Sequence, residues 1–280
     1  MAVWVMARLT FREAARRKIL LAAVVFGGLF LVIYAVGFYL IRQEYDKNFI
    51  SSQRVLIVSE MSNFLVMAGL YTVNFLTVMM TVLTSVDTLS GEISSGTIHT
   101  LVSKPVKRWQ ILAGKWLGFV GLLTLYLLMM AGGVVLSVSI INGYAPPNLP
   151  AGFALMWLTC LLLLSVSLLG GSLFSTLANG VMVFGLFGIS FIGGWIEQFG
   201  ALMKNQTAIN IGIISSLVFP TESLWRRAAY EMQSPLSSAF GGATPFSSIS
   251  VPSPLMIGYA VLYTMVALFL AIRAFSRRDL

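Results

Sequence analysis

Only 10% of the 280 residues are charged, ten acids against eighteen lysines and arginines, and the chain has one cysteine and one histidine. Each scarcity removes a class of function. Cys160 stands alone beside the apolar run Leu161 to Leu164, so neither a disulfide framework nor a thiolate metal site can be built. His99 alone supplies no H-E-x-x-H pair and no imidazole for the serines of its fourth apolar run (Ser165, Ser167, Ser172 and Ser175), and it reads as a polar interfacial residue rather than a ligand. Enzymes working inside a membrane need such polar groups clustered at depth, as metal ligands, paired aspartates or a serine with a base. Those serines read instead as back-bonding or packing residues, with Gly170–Ser172 permitting close helix approach. The chain also lacks G-x-x-x-x-G-K-[ST], so it has no P-loop for ATP. These absences predict a chain that is not an enzyme and holds no cofactor.

What fills the composition is apolar surface. Hydrophobic residues make up 58% of the chain and the mean hydropathy is +0.88, against about 45–50% apolar and 25% charged in a globular domain. This is an integral membrane protein. The +8 formal charge and pI near 9.8 do not point to nucleic acid, because the basic residues sit at the ends of apolar runs and no basic groove with interleaved aromatics occurs. Six runs approach the ~20 residues that cross ~30 Å of hydrocarbon: Ile19–Ile41, Asn63–Val86, Leu112–Ile141, Phe153–Leu177, Gly180–Phe199 and Leu255–Phe275. The first is too long for a cleaved signal peptide and ends in "IRQEYDK" rather than a small-residue cleavage site. No inverted repeat of the kind found in many secondary transporters is evident.

Lysine and arginine set the orientation. Twelve fall on one side, at Arg8, Arg12, Arg16, Arg17 and Lys18, at Lys104, Lys107, Arg108 and Lys115, and at Arg273, Arg277 and Arg278; six fall on the other, half of them in a long loop that counts little. Both termini and the stretch from Thr88 to Trp116 are therefore expected in the cytoplasm. Before the first span, Arg8, Arg12 and Arg16 recur at i, i+4 and i+8, with Trp4, Ala7, Phe11, Ala14 and Ala15 across from them. Residues 1–18 thus read either as a helix lying in the membrane interface, anchored by Trp4, Phe11, Arg12, Arg16 and Arg17, or as topology-setting charge alone.

The most polar segment, "TLSGEISSGTIHTLVSKPVKRWQILAGKW", lies between the second and third spans. Gly91 and Gly96 bracket "EISS", Ile98, Leu101 and Val102 stand at helical spacing, and Pro105 marks a helix end followed by a new start. The reading is a short helix, a turn, and the beginning of the third span; glycines let another backbone approach closely. The pattern D-x-x-x-G-E-x-x-x-G-T-x-x-x-L-x-x-x-P-V-x-R-x-x-x-x-x-G-K is carried by Asp87, Gly91, Glu92, Gly96, Thr97, Leu101, Pro105, Val106, Arg108, Gly114 and Lys115. It resembles the cytoplasmic signature of permease subunits of type-2 ATP-binding-cassette (ABC) transporters, and "FPTESLWRR" at Phe219–Arg227 resembles a proline-containing segment before their last span.

The resemblance implies one all-α permease domain over residues 1–280: an elbow helix at 1–18, six spans, a coupling segment at 87–108 and an external re-entrant or loop region at 200–254. It implies an exporter in the plasma (inner) membrane, driven by a separate cytoplasmic ABC ATPase that dimerises on ATP. A second copy or a related permease would complete the pathway, with membrane lipids around it. Asp87, Gly91, Glu92, Gly96, Thr97, Leu101, Pro105 and Arg108 would then form the ATPase contact, although Glu92 by itself also reads as a solvated loop acid. Glu197, with Pro220 and Glu222, either borders a substrate path or lies at the outer interface. A non-transporting assembly scaffold or a secondary transporter is the alternative that the residues leave open.

Overall fold

The computed structural model describes residues 2–48, 51–94, 96, 106–234, 246 and 250–278. Among these residues the chain is helical throughout, with no strand: α1 (Ala2–Ala15), α2 (Lys18–Asn48), α3 (Ser51–Ser94), α4 (Arg108–Asn142), α5 (Leu149–Leu173), α6 (Thr176–Leu202), α7 (Gln206–Val218), α8 (Thr221–Met232) and α9 (Leu255–Arg277). Helices α2, α3, α4, α5, α6 and α9 are each long and apolar enough to cross a bilayer. In hydrocarbon every backbone N–H and C=O must be satisfied within the segment, which is why the apolar runs fold this way.

The centre of the bundle is α5. Leu162, Leu163 and Leu164 are consecutive yet all fully buried, which requires neighbours on every side of the helix. Those neighbours are α3, α8 and α9, with α4 and α6. At the periphery α2 leaves Leu21, Val25, Phe26, Leu29, Val32 and Ile33 exposed, an apolar face suited to lipid. Hydroxyls in the buried part of α3 are spent on their own helix: Thr77, Thr81, Thr84, Ser85 and Thr88 each donate to the carbonyl four residues earlier.

Both described chain ends lie at the same end of the bundle. Arg108, which opens α4, donates to the carbonyls of Ser276 and Arg278 at the close of α9, and Arg278 donates to the Ser172 carbonyl at the close of α5 (2.8 Å). This is the near end. At the far end α8 closes beside the starts of α3 and α5: the Ser234 N–H donates to Asn63 Oδ1 (3.0 Å), and a side-chain atom added at Gly152 would strike Met232.

Helices α7 and α8 are bent by 108° about Pro220. Asn205 caps α7, its side chain accepting from the Thr207 and Ala208 N–H groups. Helix α7 then runs back along α6, with Ala208 against Gly200, Gly212 against Glu197 and Ser215 against Gly193, until the Glu222 N–H meets Ser190 Oγ at 3.1 Å. From Leu202 to Ser190 that is roughly 18 Å of descent at 1.5 Å per residue. The chain then climbs back along α8 to the far end, so the pair enters and leaves on one side.

Several boundaries differ from the sequence reading, among them those at the near end. The fourth span ends at Leu173, not Leu177, and the fifth starts at Thr176 rather than Gly180, because Phe174 and Ser175 adopt extended backbone and break the helix. The second span continues past Val86 to Ser94. Gly91 lies inside that helix rather than bounding a separate short one.

Candidate functional site

The polar segment's described residues converge on the near end, where six helices are tied together. The D-x-x-x-G spacing has a direct cause. Asp87 folds back along α3, and a Cβ on Gly91, one turn later, would lie 2.2 Å from Asp87 Oδ1. A side chain there would force the exposed Asp87 carboxylate to swing aside. Asp87 then receives the Thr176 hydroxyl from the start of α6 (3.3 Å) and faces the Arg17 guanidinium at 4.0 Å, while Arg17 also pairs with Glu13 at 2.8 Å. Arg17, in the link after α1, thus stands between Glu13 of α1 and Asp87 of α3.

Glu92 stands on the adjacent face and pairs with Lys115 of α4. The lysine side chain is 3% exposed and the glutamate 14%, so the pair is closed off from solvent rather than displayed. Glu92 thus lies in a helix rather than in a solvated loop, and its described charge partner is within the chain. Gly114, beside Lys115, faces α1, where an added Cβ would lie 2.4 Å from Met6 Cβ and 2.9 Å from the Val3 carbonyl. Gly118, one turn on, would meet the Ala7 carbonyl at 2.7 Å. The G-K of the signature thus seats α1 on one side of α4 and a buried charge on the other. Gly96 closes α3 in the left-handed region (φ 71°), with its N–H donating to the Ile93 carbonyl.

The junction of α5 and α6 completes the cluster. Ser90 Oγ and Thr176 Oγ1 are 2.9 Å apart, Ser85 Oγ and Ser167 Oγ are 2.8 Å apart, and the fully buried Asn179 donates to the carbonyls of Val86 (3.1 Å) and Ser167 (3.0 Å). Arg108 serves the bundle, its guanidinium meeting the last carbonyls of α9, where the helix dipole favours positive charge. Thr97, Leu101, Pro105 and also His99 lie outside the described residues.

In α1 the buried face is Met6, Ala7, Thr10 and Ala14, turned to α4. Phe11 is half-buried and packs near Gly121, whereas Trp4 is 74% exposed and Arg12 and Arg16 are exposed. At the far end Glu197 is buried and borders a cavity that Arg226, Ser250 and Tyr259 also line. It pairs with Arg226 (Nη2 to Oε2, 2.8 Å) and accepts the Ser250 hydroxyl at 2.6 Å, and Glu222 is buried beside Gly194. Arg226, read from sequence as a loop charge, is 2% exposed. Pro220 occupies the bend.

Lys115 and Arg226 are the residues that sequence reasoning missed as partners. Lys115 carried a usable signal, a cation among Leu112, Ala113, Trp116 and Leu117, where an unpaired charge is costly. Arg226 carried none, because "ESLWRR" has the pattern of a solvated helix.

Residues 4–280 match the family described as ABC-2 family transporter protein. The chain belongs to that family. It is accordingly a multi-pass membrane protein with a transport permease role, and its family is one whose permeases generally carry no catalytic site of their own. No curated protein matches the chain significantly. Among the described residues no group of three or more His, Cys, Asp and Glu side chains is placed to hold a metal.

Proposed function

We propose that this ABC-2 permease is one half of an exporter and that a cytoplasmic ABC ATPase docks at the near end, on the segment between α3 and α4. The observation that carries the reading is the mechanical arrangement around that segment. Its entry helix is joined to α4 by Glu92–Lys115, to α6 by Asp87–Thr176 and Ser90–Thr176, and to α1 through Arg17, which faces Asp87 and pairs with Glu13. A force applied between residues 94 and 108 therefore reaches four helices at once. Closure of an ATPase dimer supplies such a force, and ATP chemistry stays on the partner.

In this reading α1 is the elbow helix, moving with α4 because glycines 114 and 118 bring the two backbones together. The second connection at this end, Phe174–Ser175, is too short to form a large contact, so the ATPase engages chiefly the elbow and the segment after Ser94. Two permease chains, identical or related, complete the pathway, and the near end faces the cytoplasm of a plasma (inner) membrane.

The test is ATP-dependent export from proteoliposomes containing this chain with its ATPase. Gly96→Leu, which forces a side chain into a left-handed cap at the docking segment, is expected to insert normally yet lose ATPase co-purification and transport. Full association and transport in that variant would overturn the assignment.

A further inference from the structure

Of the charged side chains on α6, α7 and α8, Glu222 is the one without a partner. The residue is 6% exposed, at the foot of the α7 descent, where its backbone N–H donates to Ser190 Oγ. Among the described residues its carboxylate receives no hydrogen bond and enters no ion pair. Gly194 lets the side chain lie flat on α6, since an added Cβ would stand 2.2 Å from Glu222 Cγ. There Glu222 borders a cavity of about 10 Å³, room for one group of water size, enclosed by Tyr71 of α3, Trp195 and Gln198 of α6 and Trp225 of α8. Aromatic rings form much of the wall: Tyr71 packs on Trp225 and Phe246 with centroids 5.2 and 5.6 Å apart. The Tyr71 hydroxyl accepts the Trp195 Nε1–H at 3.0 Å and donates to no described residue. An open donor and an open acceptor therefore share the cavity.

Charge counting decides what belongs between them. Arg226 also lines the cavity, but its charge is matched by Glu197 (Nη2 to Oε2, 2.8 Å), and Arg227 pairs with Glu231. The surrounding elements bring no further cation: α5, α7 and residues 235–249 contain no charged residue, and those of α9, Arg273 and Arg277, lie at the near end. From α3 comes the Tyr71 hydroxyl, with the charged residues of that helix about three turns or more away on either side. Two carboxylates thus face one guanidinium, and none of the three residues is more than 6% exposed. The carboxylate in excess keeps its charge only at a large desolvation cost. A metal cation would meet Arg226 in the same wall and, among the described residues, no cluster of three His, Cys, Asp or Glu side chains. A proton needs one oxygen, and the neutral acid suits a cavity with one water and a phenol.

We propose that Glu222 is a proton-binding site: it holds a proton while α3, α6 and α8 enclose the cavity and gives it up to water when they part. Proton uptake and the closed position of α8 then favour each other. The site belongs to this chain alone and needs no ATPase, so its failure would leave the transport assignment standing.

The test is infrared spectroscopy of the full chain in dodecyl maltoside, a detergent without carbonyl groups, followed from about pH 5 to about pH 9. A carbonyl stretch of a protonated carboxylic acid is expected to persist at about pH 7, where solvated carboxyls are ionised, and to shift in deuterium oxide. Glu222→Gln should remove that band, Glu222→Asp should keep it at a shifted frequency, and Glu13→Gln, at an exposed acid, should leave it unchanged. The closed chain binds one proton more than the unfolded chain in this range, so stability falls as pH rises. The unfolding midpoint of the wild type should accordingly drop between about pH 6 and about pH 8, and Glu222→Gln should flatten that profile. No Glu222-dependent acid band at about pH 7, a pH profile unchanged by Glu222→Gln, or loss of the band on adding sodium or potassium at constant pH would each overturn the proposal.

Discussion

Replacing Glu92 by Leu isolates what the buried pair at the near end contributes. The substitution leaves Lys115, whose side chain is 3% exposed, without its partner across the α3–α4 contact. Removing one member of a buried ion pair costs about 3–5 kcal/mol, because the other keeps its desolvation penalty and loses its compensation. The deeper member is the lysine, so deleting the glutamate is the more damaging single change. For a chain of this size about 2–4 °C of unfolding midpoint accompany each kcal/mol, which predicts a fall of roughly 6–20 °C. The double variant Glu92→Leu/Lys115→Met removes both charges and keeps comparable volumes, and replacing a buried pair by apolar residues is often neutral or stabilising. It should therefore regain most of the loss. The assay is thermal unfolding of purified protein in detergent, followed by circular dichroism, for the wild type, both single variants and the double. A single Glu92→Leu variant as stable as the wild type, or a double variant no better than it, would refute the claim that this pair is closed off from water.

Gly114→Leu should displace α1 from α4, exposing Met6 to a thiol reagent after its replacement by cysteine, while Gly132→Leu, where nothing lies within 4 Å, should not; equal labelling of the two backgrounds would contradict the seat. Arg226→Glu should sharply reduce the yield of monodisperse protein by setting two carboxylates together, and Arg226→Glu combined with Glu197→Arg should recover part of it, as size-exclusion profiles would report. The buried position of Arg226 also reverses the expectation from charge counting, under which changes at Arg226 and Arg227 matter less than changes at Arg12, Arg16 and Arg17. Reporter fusions at Leu280 and within Tyr144–Pro150 should give opposite signals, cytoplasmic for the first; the same signal from both would break the six-span topology.

Span number, span length and the helical class were legible in the sequence because they depend on local quantities. A run of about 20 apolar residues satisfies both the bilayer thickness and its own backbone hydrogen bonds, whatever surrounds it. The apolar patch at Ile209–Phe219 was legible as too short to cross on its own. The signature's glycines were visible only as letters. Their causes are contacts between elements: Gly91 makes room for Asp87 within a helix that outlasts its apolar part, and Gly114 makes room for α1.

Partnership between charges was decided by tertiary packing alone. Glu92 and Lys115 are separated by a segment that turns the chain around, and Glu197 and Arg226 by the whole descent of α7 and its bend. Sequence spacing carries no record of which faces those helices turn inward, and a buried arginine is tolerable only where a carboxylate from another helix reaches it. The hydrocarbon thickness determined that this chain crosses a membrane; the pairing of a few costly charges, set by how the helices pack, decided where it is rigid, where it is hollow and where force can enter.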